Sequence, residues 1–191
     1  MGGGFVCLSM KPRRKILDTE KHRGAESRRE LRVLWLMAAA VTVHMIEEMI
    51  WLPEWSQTAG SWHIPVSPGQ FAFASVVLLG VTYALTAAAV RGGRGSAAVY
   101  LALGLALTML LNVYFPHVGS TIDLGRYGPG VVTGVLINLP LMPYLIWRGV
   151  REGYVDGRRF LLLAVPMVIT AAVGWSLLLY AGSILSGSGD I

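Results

Sequence analysis

Charge is scarce in this sequence. Only 14% of its 191 residues are charged and 54% are hydrophobic, whereas a soluble domain carries about a quarter charged residues. Cysteine is scarcer still. The lone Cys7 excludes an internal disulfide and a thiolate metal centre. No HExxH pair, GxSxG elbow, Walker A loop or CxxC pair occurs, and each absence removes the enzyme class built on it. The arginine ladder of a voltage sensor and the rings of a selectivity filter are missing as well.

Long apolar runs are present instead. A helix crosses the hydrocarbon core with about 20 apolar residues, and five stretches reach that length: 33–52, 70–90, 96–115, 128–147 and 160–185. The expected fold is all-α, an integral membrane bundle of five transmembrane helices over residues 33–185. A basic, largely disordered tail over 1–32 precedes it, and a short flexible segment over 186–191 follows. Nine of the sixteen Lys and Arg lie between Lys11 and Arg32. Such a cluster beside a span is a topology signal rather than a nucleic-acid surface, and no aromatic–basic interleaving accompanies it. The loop at 91–95 carries two more basic residues and that at 148–159 four. The loop at 53–69 carries none, and the one at 116–127 only Arg126. Positive-inside asymmetry therefore predicts a cytoplasmic N-terminus and an outer C-terminus. The first run is too long for a signal-peptide core, and the Gly2 context lacks the Ser or Thr of a myristoylation site. Met10 is an alternative start. The Gly, Ala, Val and Arg content points to a bacterial plasma membrane.

Trp35 and Trp147 fall at predicted inner ends, and Trp51, Trp55 and Trp62 at the outer end of the first helix, as interface belts require. Gly130 and Gly134 have GxxxG spacing, which suits close helix packing. Pro140, Pro143 and Pro166 are expected to bend the fourth and fifth helices. No internal repeat is visible.

The segment His44-Met45-Ile46-Glu47-Glu48 carries the chemistry. At 100° per residue, Glu47 lies about 60° to one side of His44 and Glu48 about 40° to the other. A charge at the bilayer centre costs about 2.5–3.5 kcal/mol, so three ionisable groups within two turns imply a use. Three are open: a metal that holds the carboxylates ionised, a neutral Glu ready to give its proton, or a polar lock between helices. Asn112 and His117 fall at the same depth in the third helix, where Pro116 is expected to end it. The candidate catalytic residues are Glu47, Glu48, His44 and Asn112, the last as an orienter. The candidate metal ligands are His44, Glu47, Glu48 and His117. His63 in the outer loop reads as exposed or as a further ligand, and His22 as a tail residue without a role. Asn138 is expected to hydrogen-bond a neighbouring helix. Arg126 is either solvated or the partner of a carboxylate.

The His44–Glu48 segment resembles the motif that names the HXXEE domain family. Asn112, then His117-Val118-Gly119-Ser120, then Arg126-Tyr127-Gly128-Pro129-Gly130-Val131-Val132-Thr133, resemble its second signature. The resemblance implies a small polytopic membrane protein in which His44, Glu47, Glu48 and His117 act together, and a suspected enzyme.

The first functional expectation is therefore a membrane enzyme acting on a hydrophobic, lipid- or terpenoid-like substrate, with zinc, or iron or manganese, as its divalent metal. Zinc favours hydrolysis and iron oxidation. A metal-free isomerase or cyclase working by proton transfer is the alternative, with the outer tryptophans and Trp175 lining an apolar pocket. A proton-coupled transporter or a subunit of a larger complex is the non-enzymatic alternative. The expected partners are membrane lipids and the hydrophobic small molecule, with no nucleic acid; the oligomeric state is open.

Overall fold

The computed structural model describes residues 29–185. Cys7, Met10, His22 and the segment 186–191 lie outside the described residues. Among the described residues, five helices are long and apolar enough to cross a membrane: α1 (Leu31–Ser56), α2 (Pro68–Gly92), α3 (Ala97–Leu124), α4 (Val131–Arg151) and α5 (Gly157–Leu185). There is no strand among the described residues.

Helix starts follow local capping chemistry. Ser67 opens α2 with a reciprocal capping box: its hydroxyl accepts from the Gln70 amide and the Gln70 side chain accepts from the Ser67 amide, both at 3.2 Å, with Pro68 in the first turn. Ser96 caps α3 through the Val99 amide. All five helices run beyond at least one expected boundary. The first begins two residues before Val33 and ends past Pro53. The Pro53 carbonyl stays in use there, accepting from the Ser56 hydroxyl and the Gln57 side-chain Nε2.

The third helix does not stop at Pro116. Its regular ladder ends at Asn112, Phe115 takes an extended conformation (φ −138°, ψ 116°), and helical structure resumes through Leu124. A residue preceding proline is pushed out of the α region, so the break falls at Phe115 and the chain continues past it. In α4 the ladder slips into a π turn over Gly134–Asn138. Pro140 lies just beyond and has no N–H to donate back.

The bundle places α3 among α2, α4 and α5, while α1 packs against α2 and α4. The main core joins Leu34, Met37, Val41 and Met45 of α1 to Leu103 and Ala106 of α3 and Met142 and Leu145 of α4. Helices α3 and α4 meet closely at Gly149, where a Cβ would lie 2.4 Å from the Leu103 side chain. Trp175 of α5 stands edge-on to Phe71 of α2 at 5.6 Å, in a smaller cluster with Leu52, Val66 and Leu179. Outward surfaces are apolar. Leu162, Val165, Leu177 and Tyr180 on α5 and Leu136 on α4 are all exposed, which suits hydrocarbon surroundings.

Candidate metal centre

Helix α1 presents His44 and Glu48 to the interior because they are four residues apart and lie on one face. The break at Phe115 turns His117 back toward them. All three are buried. Glu48 Oε1 lies 3.9 Å from His44 Nε2 and 3.3 Å from His117 Nε2. The imidazoles stand edge to face with centroids 4.9 Å apart. One ligand atom from each of His44, Glu48 and His117 falls within 4.8 Å of the others, so the group could hold a metal ion. Bonds of about 2.0–2.1 Å in a tetrahedral shell place ligand atoms roughly 3.3 Å apart; the Glu48–His117 distance equals that value and the Glu48–His44 distance is longer.

The surrounding hydrogen bonds fix which ring nitrogens are bare. The Thr133 hydroxyl lies 2.8 Å from His44 Nδ1. Asn112 Nδ2 can only donate and faces His44 Nε2, so that nitrogen accepts and His44 Nδ1–H donates to the hydroxyl. His117 Nε2 likewise faces Asn112 Nδ2, so its ring proton sits on Nδ1. Both Nε2 atoms are then lone-pair acceptors. Asn112 Nδ2 satisfies them together, at 3.3 Å from His44 and 2.7 Å from His117. An imidazole that donates from one nitrogen and offers the other is arranged as a metal ligand is by its outer partners.

Glu47 lies outside the group of three. Its carboxylate crosses to the start of α4. Oε1 accepts from the Tyr127 hydroxyl at 2.5 Å, the Gly130 amide at 3.1 Å and the Val132 amide at 3.3 Å, while Oε2 accepts from the Thr133 amide at 2.8 Å. The first amides of a helix lack internal partners and attract an anion, so a carboxylate of α1 caps α4. Burial, followed by this hydrogen bond and the carboxylate charge, raises the Tyr127 phenol above its ordinary value and keeps it a donor.

Gly130 makes the turn possible. Its φ is +85°, and a Cβ there would lie 2.5 Å from His117 Cε1. The GxxxG pair therefore has one member that serves the Tyr127–Thr133 turn rather than helix approach. The loop between α1 and α2 closes over the same end. Trp62 Nε1 donates to Asp123 at 2.7 Å, and the Trp62 ring lies 5.2 Å from that of Phe115. Arg126 donates to the Thr58 carbonyl and hydroxyl at 2.8 and 2.7 Å and covers the Trp55 ring, so it ties the turn to the end of α1. Trp51 is exposed and stands edge-on to Tyr127. His63 bonds the Ile64 carbonyl at 2.6 Å; burial holds its imidazole below the ordinary value, and it is not one of the three clustered residues.

The structure thus brings His44, Glu48, His117 and Asn112 into contact and gives Glu47 a separate partner set. Tyr127, Pro129, Gly130 and Thr133 are the residues that motif reading did not assign. Their signal was the Gly-Pro-Gly turn immediately ahead of a helix.

The family model described as "Protein of unknown function with HXXEE motif" matches residues 35–145, which include every residue of the cluster and its supports and exclude α5. The chain is also similar to "Uncharacterized protein YrkK" of Bacillus subtilis (strain 168), with 30% identity over 136 residues, covering 70% of this chain and 86% of that protein. No solved structure matches it. The chain belongs to the HXXEE family.

Proposed function

We propose that this member of the HXXEE family is a membrane-embedded enzyme. In this reading, His44, Glu48 and His117 hold one divalent cation, and the substrate is a hydrophobic, lipid- or terpenoid-like molecule. The observation that carries the proposal is the pair of bare Nε2 atoms converging on a buried carboxyl oxygen. Asn112 partners both nitrogens as they stand, and a bound cation would take its place among the three ligand atoms. Two imidazoles and one carboxylate make the ligand set of hydrolytic zinc and of non-haem iron. A bound cation would supply Lewis acidity, or redox chemistry in the case of iron.

The chain's own residues have separable tasks. Glu47, through Thr133, holds the His44 ring with Nε2 inward, and Tyr127 steadies Glu47. Asn112 orients both rings. A lipophilic substrate is supported by the apolar surroundings: Val41, Met45 and Val113 are buried nearby in sequence, and Ile46, Ile50 and Trp51 lie exposed along the flank of α1. The basic-residue asymmetry supports an orientation with the N-terminus in the cytoplasm and the site in the outer half of the membrane. The similarity to a Bacillus protein supports a bacterial plasma membrane.

A second reading, metal-free proton transfer, draws on one distance. The 3.3 Å between His117 Nε2 and Glu48 Oε1 allows the two to share a proton. Thermal unfolding of chelator-treated protein separates the readings. If the metal reading holds, added Zn²⁺ or Fe²⁺ raises Tm of the wild type but not of His117→Ala or Glu48→Gln. An equal rise in all three would make the metal effect nonspecific and leave proton transfer in possession of the site.

A further inference from the structure

Asn138 departs from its sequence expectation. It is fully buried in the π turn of α4, and neither amide atom has a hydrogen-bond partner among the described residues. A buried amide normally finds partners, and hydrocarbon offers none. Asn138 belongs to the inward stripe Gly134, Asn138, Met142, Leu145, Gly149.

Gly134, one turn away on this stripe, faces the candidate centre. A Cβ there would meet Val113 at 3.5 Å and His44 Cε1 at 3.9 Å, which are ordinary contacts. Close helix approach therefore does not require this glycine, and about a methyl group's width separates α4 from the His44 ring. A single π turn that carries both features is a form of backbone often found at functional sites.

We propose that the His44–Glu48–His117 centre and Asn138 are the two ends of one ligand site, joined through the gap at Gly134, and that Asn138 takes an alcohol hydroxyl. An amide offers a donor and an acceptor side by side. A hydroxyl answers both: its oxygen accepts from Nδ2 and its proton goes to Oδ1. Water has the same chemistry, and the variants below separate the two. Its neighbours on α4, Ile137 and Leu139, are apolar. The identity of the alcohol as substrate rests on the function proposed above.

The test is thermal unfolding of purified full-length protein in detergent with n-decanol, with decane as the apolar control. Metal content is measured on the same samples. Decanol at ten times its Kd raises the wild-type Tm by roughly 3–6 °C, and decane does not. Asn138→Leu is at least as stable as wild type without ligand, because an unpaired amide has been removed. It loses the decanol shift. Gly134→Ala, which fills the gap and leaves Asn138 in place, loses the shift too, and it carries the test if Asn138→Leu does not fold. No decanol shift in wild type, or a full shift in both variants, overturns the site. So does an Asn138→Leu variant that is less stable than wild type in a protein indifferent to decanol, because the amide then holds a structural water. A decanol shift that depends on both residues in a protein that binds no metal sustains the alcohol site and overturns the metal reading instead.

Discussion

Gly130 and Gly134 share a GxxxG spacing but should respond to alanine in opposite ways. At Gly130 the backbone is left-handed, φ +85°, and a Cβ would sit 2.5–2.9 Å from three atoms of the His117 ring. The left-handed conformation alone costs about 1–2 kcal/mol for a residue with a Cβ. The ring cannot yield freely, because Asn112 and Glu48 lie against its Nε2. Together these put Gly130→Ala at about 2–4 kcal/mol of destabilisation, in the range of strain at a special backbone position. For a chain of this size that is on the order of 10 °C in Tm. Gly134→Ala meets only van der Waals contacts and gains up to about 1 kcal/mol of helix propensity. Its Tm should match or slightly exceed that of wild type. Thermal unfolding in detergent, monitored by circular dichroism, reads both. If Gly134→Ala loses as much as Gly130→Ala, α4 is packed by close approach at Gly134, and the turn geometry around His117 is not what sets the stability of this region.

Three further outcomes follow from the supports of the cluster. Tyr127→Phe removes one of four donors to Glu47 and should weaken metal affinity about tenfold, the low end for an outer partner, in competition with a chelator; unchanged affinity would detach Tyr127 from the centre. Thr133→Val removes the hydroxyl between Glu47 and His44 and should cost about 10–100-fold, with Thr133→Ser restoring it; equal loss in both variants would locate the defect in packing. Away from the membrane core, the Tyr154 hydroxyl first and Arg148 second hold the Glu152 carboxyl below its ordinary value of 4.5. The stability from this group is therefore complete above that value and is lost as pH falls through the lower folded one. Glu152→Gln should flatten the acid limb of a Tm-against-pH curve, and an unchanged limb would assign it to other carboxylates.

Hydropathy was enough to count the helices, because a span must be long and apolar whatever it packs against. It was weaker at the ends. Pro53 lies inside α1 because only its own N–H is missing and its carbonyl still serves the next turn. Pro116 displaced the break to Phe115 without ending the helix. The spacing of His44 and Glu48 placed them on one face, and the downstream histidine joined them as its depth suggested. Glu47 was legible as an ionisable group within a span but not in its partners. The 100° between it and Glu48 divides the two carboxylates, and only the tertiary position of the Tyr127–Thr133 turn decides what the first one meets. Asn138 was legible as polar, while the absence of a partner required the neighbouring helices to be in place.

The central claim is that α1 and α3 share one metal ion. Elemental analysis of protein purified in mild detergent without chelators tests it most directly, on wild type beside His44→Ala, Glu48→Gln and His117→Ala. About one equivalent of zinc, iron or manganese in wild type, lost in each of the three variants that remain folded, is the expected result. No metal in wild type after reconstitution, or equal metal in all four proteins, would contradict it.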